Sequence, residues 1–366
     1  MLKVLQLVHA QENGGVELLA RLIGDDLRAA GAEVETLYLY PAFAAGARAK
    51  LAGLARAIGR IAVAPPDVLI AYQPTASVMA GLAGRVFGCP VRIVHQTTKP
   101  STIHPVSRAF DRWLGCGAFY TLNIANSHAT LAEFDAYPAA YRARLTLIPH
   151  GIAPPEPRAS RADTLRRFDV PDDGPILLNA GRLSEQKAQQ QIIAALPLLL
   201  NARLVLAGGG PLEADYRDLA RSAGVDSRVH FLGYLEREQV GDLMGAVDTF
   251  VFPSVWETFG LAAVEAAMLG VPVVASELPV LREVLSVEGR TAARFLDCSQ
   301  PEALAKAITA TLSPASLDEA KGLAAGLRQK HSQDTMLAAY RAMVWPEGLP
   351  ASAAQADKVQ QDGARR

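Results

Sequence analysis

The sequence is poor in the features that mark several common classes of protein. Cysteine is scarce: Cys89, Cys116 and Cys298 are odd in number and far apart, with no CxxC or Cys/His cluster. That excludes a disulfide framework or a zinc module and points to a reduced, cytosolic compartment. Long apolar runs are missing too, since none approaches the roughly 18 to 20 residues that a membrane-spanning helix requires. The opening "MLKVLQLVHA" passes from a short apolar run straight into a folded pattern, without the basic leader, h-region and cleavage site of an export signal. The expectation is a cytoplasmic protein. A net charge of −1 argues against a general nucleic-acid binder.

What is present describes a soluble α/β protein: half of the 366 residues are hydrophobic and one fifth charged. That length suits two domains of roughly 150 to 200 residues rather than one core. Charge is unevenly shared. Residues 1–150 hold 14 Lys+Arg against 10 Asp+Glu and the remainder 22 against 27, so the first lobe stands at +4 and the second at −5. Short β-branched or leucine-rich runs ("KVLQLV", "VETLYLY", "DVLIAY", "VRIVHQ", "LNIAN") alternate with amphipathic segments such as "VELLARLIGDDLRAAG", which Gly31 closes as a C′ glycine. This rhythm means βαβ units and a parallel sheet. The proline-rich "IAPPEPRAS" continues neither kind of element and reads as a linker. A second series follows: "PILLNAG", "RLVLAGGG", "VHFLGY", "DTFVFPS" and "VPVVAS". Two doubly wound sheets would turn the ligand-binding ends of their strands to one cleft. Residues 1–152 form the expected first domain and 153–331 the second. Residues 332–345 are read as a helix packing back on the first domain, and the polar tail 346–366 as disordered.

Three stretches carry candidate chemistry. In "ILLNAGRLSEQKAQQQIIAAL" a buried strand turns at Gly181 and a helix is expected from about Lys187. Arg182 and Lys187 flank that turn, where two cations at a helix start suit a diphosphate, unless they are plain solvated cations. "VLAGGGPLE" sets Gly208 to Gly210 after a strand. It lacks the spacing of a GxGxxG fingerprint, so a close nucleotide approach and an ordinary tight turn both remain open. In "VFPSVWETFGLAAVEAAML" a strand and turn lead to a helix ended by Gly270. Glu257 falls before that helix and Glu265 about two turns inside, roughly 12 Å on at the helical rise. Each carboxylate suits a pair of vicinal hydroxyls, while the N–H groups of Phe259, Gly260 and Leu261 would point at a phosphate. The alternative is a glutamate complementing the helix dipole and a second one paired with a neighbouring arginine.

"GRLSEQK", "LAGGGPLE", "FLGY" and above all "PSVWETFGLAAVEAAMLGVPVVAS" resemble the donor-binding half of the retaining GT-B glycosyltransferases of family 4, whose signature is Glu-x7-Glu. The likeness extends into the first lobe in "NGGVE" (Asn13 to Glu17), "NSH" (Asn126 to His128) and "IPHGI" (Ile148 to Ile152), and covers residues 2 to about 345. The resemblance implies a GT-B fold, with an acceptor-side first domain and a donor-binding second one. It implies that Glu265 holds the ribose, Arg182 and Lys187 the diphosphate, and Glu257 the C3 or C4 hydroxyl of the transferred sugar. Gly14 and Gly15 would let the first lobe's backbone close over the phosphates, and His95 would sit near the sugar. His150 stands where the family's linker has Asn, and Pro279-Val280 where it often has Gly-Gly, although Glu283 still matches.

The activity implied is a retaining hexosyl transfer from a nucleoside-diphosphate sugar, UDP first and GDP-mannose second. No DxD-like metal pair and no further cofactor are called for, and cationic and N–H donors would stabilise the leaving diphosphate. The acceptor expected is a glycan or lipid-linked hydroxyl, as in lipopolysaccharide or other cell-surface polysaccharide synthesis. Residues 43–61 place Ala47, Leu51, Leu54, Ile58 and Ile61 on one stripe and Arg48, Arg56 and Arg60 on the other face. The stripe is expected to pack on the sheet, and the basic face to offer peripheral contact with the inner membrane. A periplasmic-type sugar-binding protein would need an export signal. A GT-B relative that epimerises its ligand, or only binds it, stays as the alternative.

Overall fold

The computed structural model of the protein describes residues 1–10, 15–40 and 46–345. Asn13 and Gly14, residues 43–45 and the tail 346–366 lie outside the described residues. The chain divides into two units, the first formed by Met1–Gly151 with the C-terminal segment from Gln333, the second by Ile152–Ser332.

In the first unit β1 (Lys3–Ala10), β2 (Glu33–Tyr40), β3 (Val68–Ala71), β4 (Val91–His95), β5 (Leu122–Ala125) and β6 (Leu145–Leu147) form one parallel sheet in the order β2-β1-β3-β4-β5-β6. Its helices are α1 (Gly15–Ala29), α2 (Ala47–Val63), α3 (Pro74–Val86), α4 (Pro105–Cys116), α5 (His128–Ala132) and α6 (Ala139–Arg142). Alternation along the strands divides the core in two. Val4, Val8, Val68, Ile70 and Ile93 meet α1 on one face, whereas Leu5, Leu7, Leu69 and Val94 meet α2, α3 and α4 on the other.

The second unit opens with α7 (Arg161–Arg167) and carries β7 (Ile176–Ala180), α8 (Gln190–Ala195), β8 (Arg203–Ala207), α9 (Glu213–Ser222), β9 (Val229–Gly233), α10 (Arg237–Ala246), β10 (Thr249–Phe252), α11 (Leu261–Met268), β11 (Val273–Ser276) and α12 (Pro279–Val284). A small hairpin of β12 (Ser286–Val287) and β13 (Arg290–Thr291), then β14 (Ala293–Leu296), α13 (Pro301–Thr311) and α14 (Pro314–Lys330), complete it. Its sheet is also parallel, in the order β14-β11-β10-β7-β8-β9. The last helix, α15 (Gln333–Val344), returns to the first unit, where Met336, Leu337, Tyr340 and Met343 join the core beneath α1. Each unit is thus a doubly wound, Rossmann-like α/β sheet. Among the described residues no helix is long and apolar enough to cross a membrane.

Three expectations change in position. "IAPPEPRAS" has no regular element, yet it is fastened: Arg158 N and Ala159 N both donate to Asp242 Oδ1 of α10, at 2.7 and 3.2 Å. The helix after Gly181 starts at Gln190 rather than Lys187, because Ala188 sits at φ +50°, outside the helical region. In α2 the buried stripe is Gly53, Ala57 and Ile61, with Leu54 partly buried against the same core; of the expected stripe Leu54 and Ile61 therefore pack inward, and Leu51 and Ile58 are exposed. Gly53 decides this, since a Cβ there would fall 1.7 Å from Leu39 O; the helix lies on the sheet by its small residues.

Candidate functional site

In the second unit the strand order reverses between β7 and β10. At such a point the loops leaving the two strands part to opposite faces and open a crevice at their carboxyl ends, where doubly wound sheets take ligands. The loop after β7 runs from Gly181 to Gln189 and that after β10 from Pro253 to Gly260. These are the loops that carry Arg182, Lys187 and Glu257.

Polar contacts lock them together. Val255 N donates to Gln186 O (2.8 Å), and Gln186 Nε2 donates back to Trp256 O (3.1 Å). Beneath them Gln189 Nε2 donates to Arg182 O (3.0 Å) and to Asn179 Oδ1 (3.1 Å), and Asn179 Nδ2 donates to Val251 O (2.8 Å). The glycines after β8 close the third side. Gly208 adopts φ +143°, and a Cβ there would lie 2.1 Å from Gly181 O; one at Gly210 would lie 2.2 Å from Leu183 O. They serve backbone-to-backbone packing of the β8 loop on the β7 loop. Of the two uses that sequence leaves open, this one has direct support.

Lys187 Nζ meets Glu257 Oε1 at 2.5 Å, both side chains largely buried, and the ammonium lies 4.7 Å from the centre of the Phe252 ring. Lys187 is therefore not a solvated cation waiting at a helix start. Its charge is matched by a carboxylate 70 residues away and held over an aromatic face. Arg182 is exposed on the same loop. Glu257 sits in the irregular turn, so the helical-rise spacing does not apply to it. Gly260, at φ +89°, is the N-cap of α11, and Leu261 its first residue. Glu265 is thus the fifth residue of α11, little more than one turn inside rather than two. Phe259 is buried with its ring 5.3 Å from that of His331.

Glu265 has a partner that the sequence reading missed. Arg237, the first residue of α10, places Nη2 3.1 Å from Glu265 Oε1 and 2.8 Å from Ala153 O. Burial raises the Glu265 carboxyl above the usual range, and the Arg237 charge works against that rise. Pairing with a neighbouring arginine was among the alternatives, but 28 positions separate the two and nothing local in "YLEREQV" marks Arg237 out. Tyr234, exposed at the end of β9, covers Gly209: a Cβ there would meet its ring at 2.7 Å.

In the first unit Gly15 is the first residue of α1. His95 ends β4 and is buried between Tyr72, ring centres 4.5 Å apart, and Tyr340 of α15, stacked at 5.6 Å. Its Nε2 is buried without a hydrogen-bond partner, and burial, with His150 nearby, pushes its pKa down to about 3, so the imidazole is neutral. His150 lies 3.1 Å from Asn126 Nδ2, which joins two of the sequence stretches singled out in this lobe. Among the described residues no group of three His, Cys, Asp or Glu side chains is placed to hold a metal ion.

Residues 160–324, within the second unit, match the family model of group 1 glycosyl transferases. Over 126 residues the chain is 39% identical to an uncharacterized glycosyltransferase of Methanocaldococcus jannaschii, covering 34% of this chain and 32% of the relative. Over 218 residues it is 29% identical to the 2-deoxystreptamine glucosyltransferase of Streptomyces kanamyceticus, covering 54% and 56%. The chain thus spans between a third and a little over half the length of these curated relatives. In structure it is similar to Anabaena HepE, solved in complex with UDP-glucose, with a TM-score of 0.79 at 21% identity over 94% of this chain and 99% of that one. The chain has the GT-B fold of two Rossmann-like units, and its second unit matches the group 1 glycosyl transferases.

Proposed function

We propose that the protein is a retaining glycosyltransferase that moves a hexose from a nucleoside-diphosphate sugar to a hydroxyl of a glycan or lipid-linked acceptor, in cell-surface polysaccharide or lipopolysaccharide synthesis. UDP is the favoured nucleotide and GDP the second. One observation carries the reading. At the switch point of the second unit two carboxylates, Glu257 and Glu265, are each matched to a cation; Arg182 lies on the same loop as Lys187, and Glu265 lies on α11, whose N-cap is Gly260. Such a site can exchange its internal partners for a ligand that is anionic at one end and rich in hydroxyls at both.

In this reading Glu265 accepts hydrogen bonds from the ribose diol, with the Arg237 charge favouring its carboxylate form against burial. The diphosphate draws Lys187 from Glu257 and meets Arg182 and the amides at Gly260 and Leu261. Glu257, released, accepts from a sugar hydroxyl. The bond from the anomeric carbon to the β-phosphate oxygen breaks as the acceptor oxygen bonds to that carbon from the same face, and the acceptor proton passes to the leaving phosphate. Lys187 and Arg182 oppose the charge that gathers there, so no metal is required. Removing one such donor costs on the order of 100-fold in rate. His95 Nε2, a buried polar atom without a partner, is the group in the first unit that a sugar hydroxyl would satisfy.

The test is to incubate the protein with UDP-hexoses and GDP-mannose in the presence of bacterial glycan and lipid-linked acceptors, and to measure nucleoside diphosphate released together with the anomeric configuration of the product. Acceptor-dependent release with retained configuration is expected. An epimerised nucleotide sugar, or binding without release, would replace transfer by the alternative.

A further inference from the structure

The carboxyl rim of the first unit's sheet gathers buried polar atoms that the chain itself does not satisfy. His95 and Ile124 are partners in the register of β4 and β5, so Asn126, two residues on, stands on the same face of the sheet as His95. Tyr72, which follows β3, and Tyr340 of α15 belong to the core on that face together with Ile93 and Ile124. Among the described residues, His95 Nε2, Asn126 Oδ1 and Tyr340 OH are all buried without a hydrogen-bond partner. The rings of His95 and Tyr340 stack with centres 5.6 Å apart and planes 22° apart, which makes two of these side chains direct neighbours.

Two tyrosines flank His95, and they differ in one respect. Tyr72 OH donates to Gln6 Oε1 at 3.2 Å, whereas Tyr340 OH finds no partner among the described residues. A hydroxyl buried in that way costs about 1 to 3 kcal/mol, and phenylalanine would fill the same core space without the cost. Packing accounts for the Tyr340 ring and leaves its oxygen unexplained.

The elements that carry these atoms are held in place. At the end of β4 Gln96 N donates to Ile124 O (2.9 Å), and on the opposite face of the sheet Gln96 Nε2 donates to Asn123 Oδ1 (3.0 Å) and Tyr141 OH (3.2 Å). α15 is fixed one turn before Tyr340, where Met336 Sδ accepts from Gly151 N at 3.0 Å. The missing partner is therefore a guest. A phenol oxygen that can donate and a neutral imidazole nitrogen, side by side, are complemented by a hydroxyl group, which both accepts and donates.

We propose that Tyr340 OH and His95 Nε2 together hold one hydroxyl of the transferred hexose, so that the C-terminal helix contributes a substrate-binding residue to the first unit. This assignment rests on the transferase reading, in which His95 meets the sugar, and extends it to a residue that no motif in the sequence marks.

The experiment compares the wild type with Y340F, which removes one oxygen and keeps the ring. Melting temperature, calorimetric affinity for free UDP or GDP, and steady-state transfer from the hexose donor and from its monodeoxy analogues are measured for both. Y340F is expected to melt no lower than the wild type and to bind the free nucleotide equally, yet to lose about tenfold in kcat/KM, the worth of one hydrogen bond. One monodeoxy donor, the one that lacks the hydroxyl held by Tyr340, should be turned over equally by the two proteins. In an H95A background Y340F should cost clearly less than it does alone, since the two residues share one contact. A Y340F that transfers like the wild type overturns the assignment and leaves the transferase reading in place. A loss of the same size with every monodeoxy donor also overturns it, by making Tyr340 structural. A wild type that binds nucleotide but transfers no hexose overturns the transferase reading, and this assignment with it.

Discussion

Glu257 and Glu265 lie on one stretch of chain but in unlike surroundings, and substitution should separate them. Glu257 neutralises Lys187. Glu257→Gln should leave the affinity for free UDP or GDP unchanged or raised, because Lys187 no longer has to leave a carboxylate, yet reduce transfer about 100-fold; calorimetry beside a turnover assay checks this. Arg237 acts on Glu265 by opposing the rise that burial gives its carboxyl. Arg237→Gln should weaken nucleotide binding by roughly tenfold, about the 1.4 kcal/mol of one charge-assisted contact. The variant should also lose affinity on acidification at a higher pH than the wild type, and recover it as pH rises. A loss independent of pH would make Arg237 merely structural. His95 gives a second pH signature. With its pKa near 3 in the fold and about 6.5 unfolded, it stays neutral while the unfolded chain takes up a proton, so stability falls as pH drops below about 6.5 and levels off only near 3. His95→Phe should flatten that slope in melting temperatures measured from pH 7 to 4.

Among the elements, backbone contact decides what a side-chain inventory cannot. Gly208 is required because the β8 loop touches the β7 loop through main chain, at a φ that other residues adopt with strain. Gly208→Ala should destabilise the second unit by about 1 to 3 kcal/mol and loosen the loop that carries Arg182 and Lys187; denaturant unfolding and nucleotide affinity report the two effects. Much at this scale was legible in the sequence. Strand periodicity located β1 to β5 and β7 to β11, since a fully buried parallel strand announces itself as an unbroken apolar run. "GRLSEQK" and "WETFG" marked the loops at the switch point. Most of what stayed hidden has one cause, distance along the chain. The partners Lys187 and Glu257 are 70 residues apart, and Arg237 and Glu265 are 28 apart. Which face of α2 turns inward was settled by Leu39 O on a neighbouring strand, against the ordinary rule that large apolar residues face the core. The start of α8 moved from Lys187 to Gln190 because Ala188 takes a positive φ, which nothing in "QKAQQQ" foretells.

At the scale of the whole molecule the chain crosses from one unit to the other twice, and the crossings are adjacent: Ile152 N donates to His331 O at 2.9 Å. The last helix thereby completes the first unit's core from the far end of the sequence. Met336 is buried there, and Met336→Ala should cost about 2 to 5 kcal/mol, seen as a lowered unfolding midpoint and, in a two-step transition, only in the step of the first unit. Transfer depends first on the switch point of the second unit taking a nucleotide through Glu265. The direct test is a thermal shift with UDP, GDP and ADP, each over a concentration series, on the wild type and on Glu265→Ala, since a ligand that binds only the folded protein raises its stability with concentration. One nucleotide, UDP before GDP, should stabilise the wild type and lose that effect in the variant. No shift with any of the three, or an equal shift in Glu265→Ala, would contradict it.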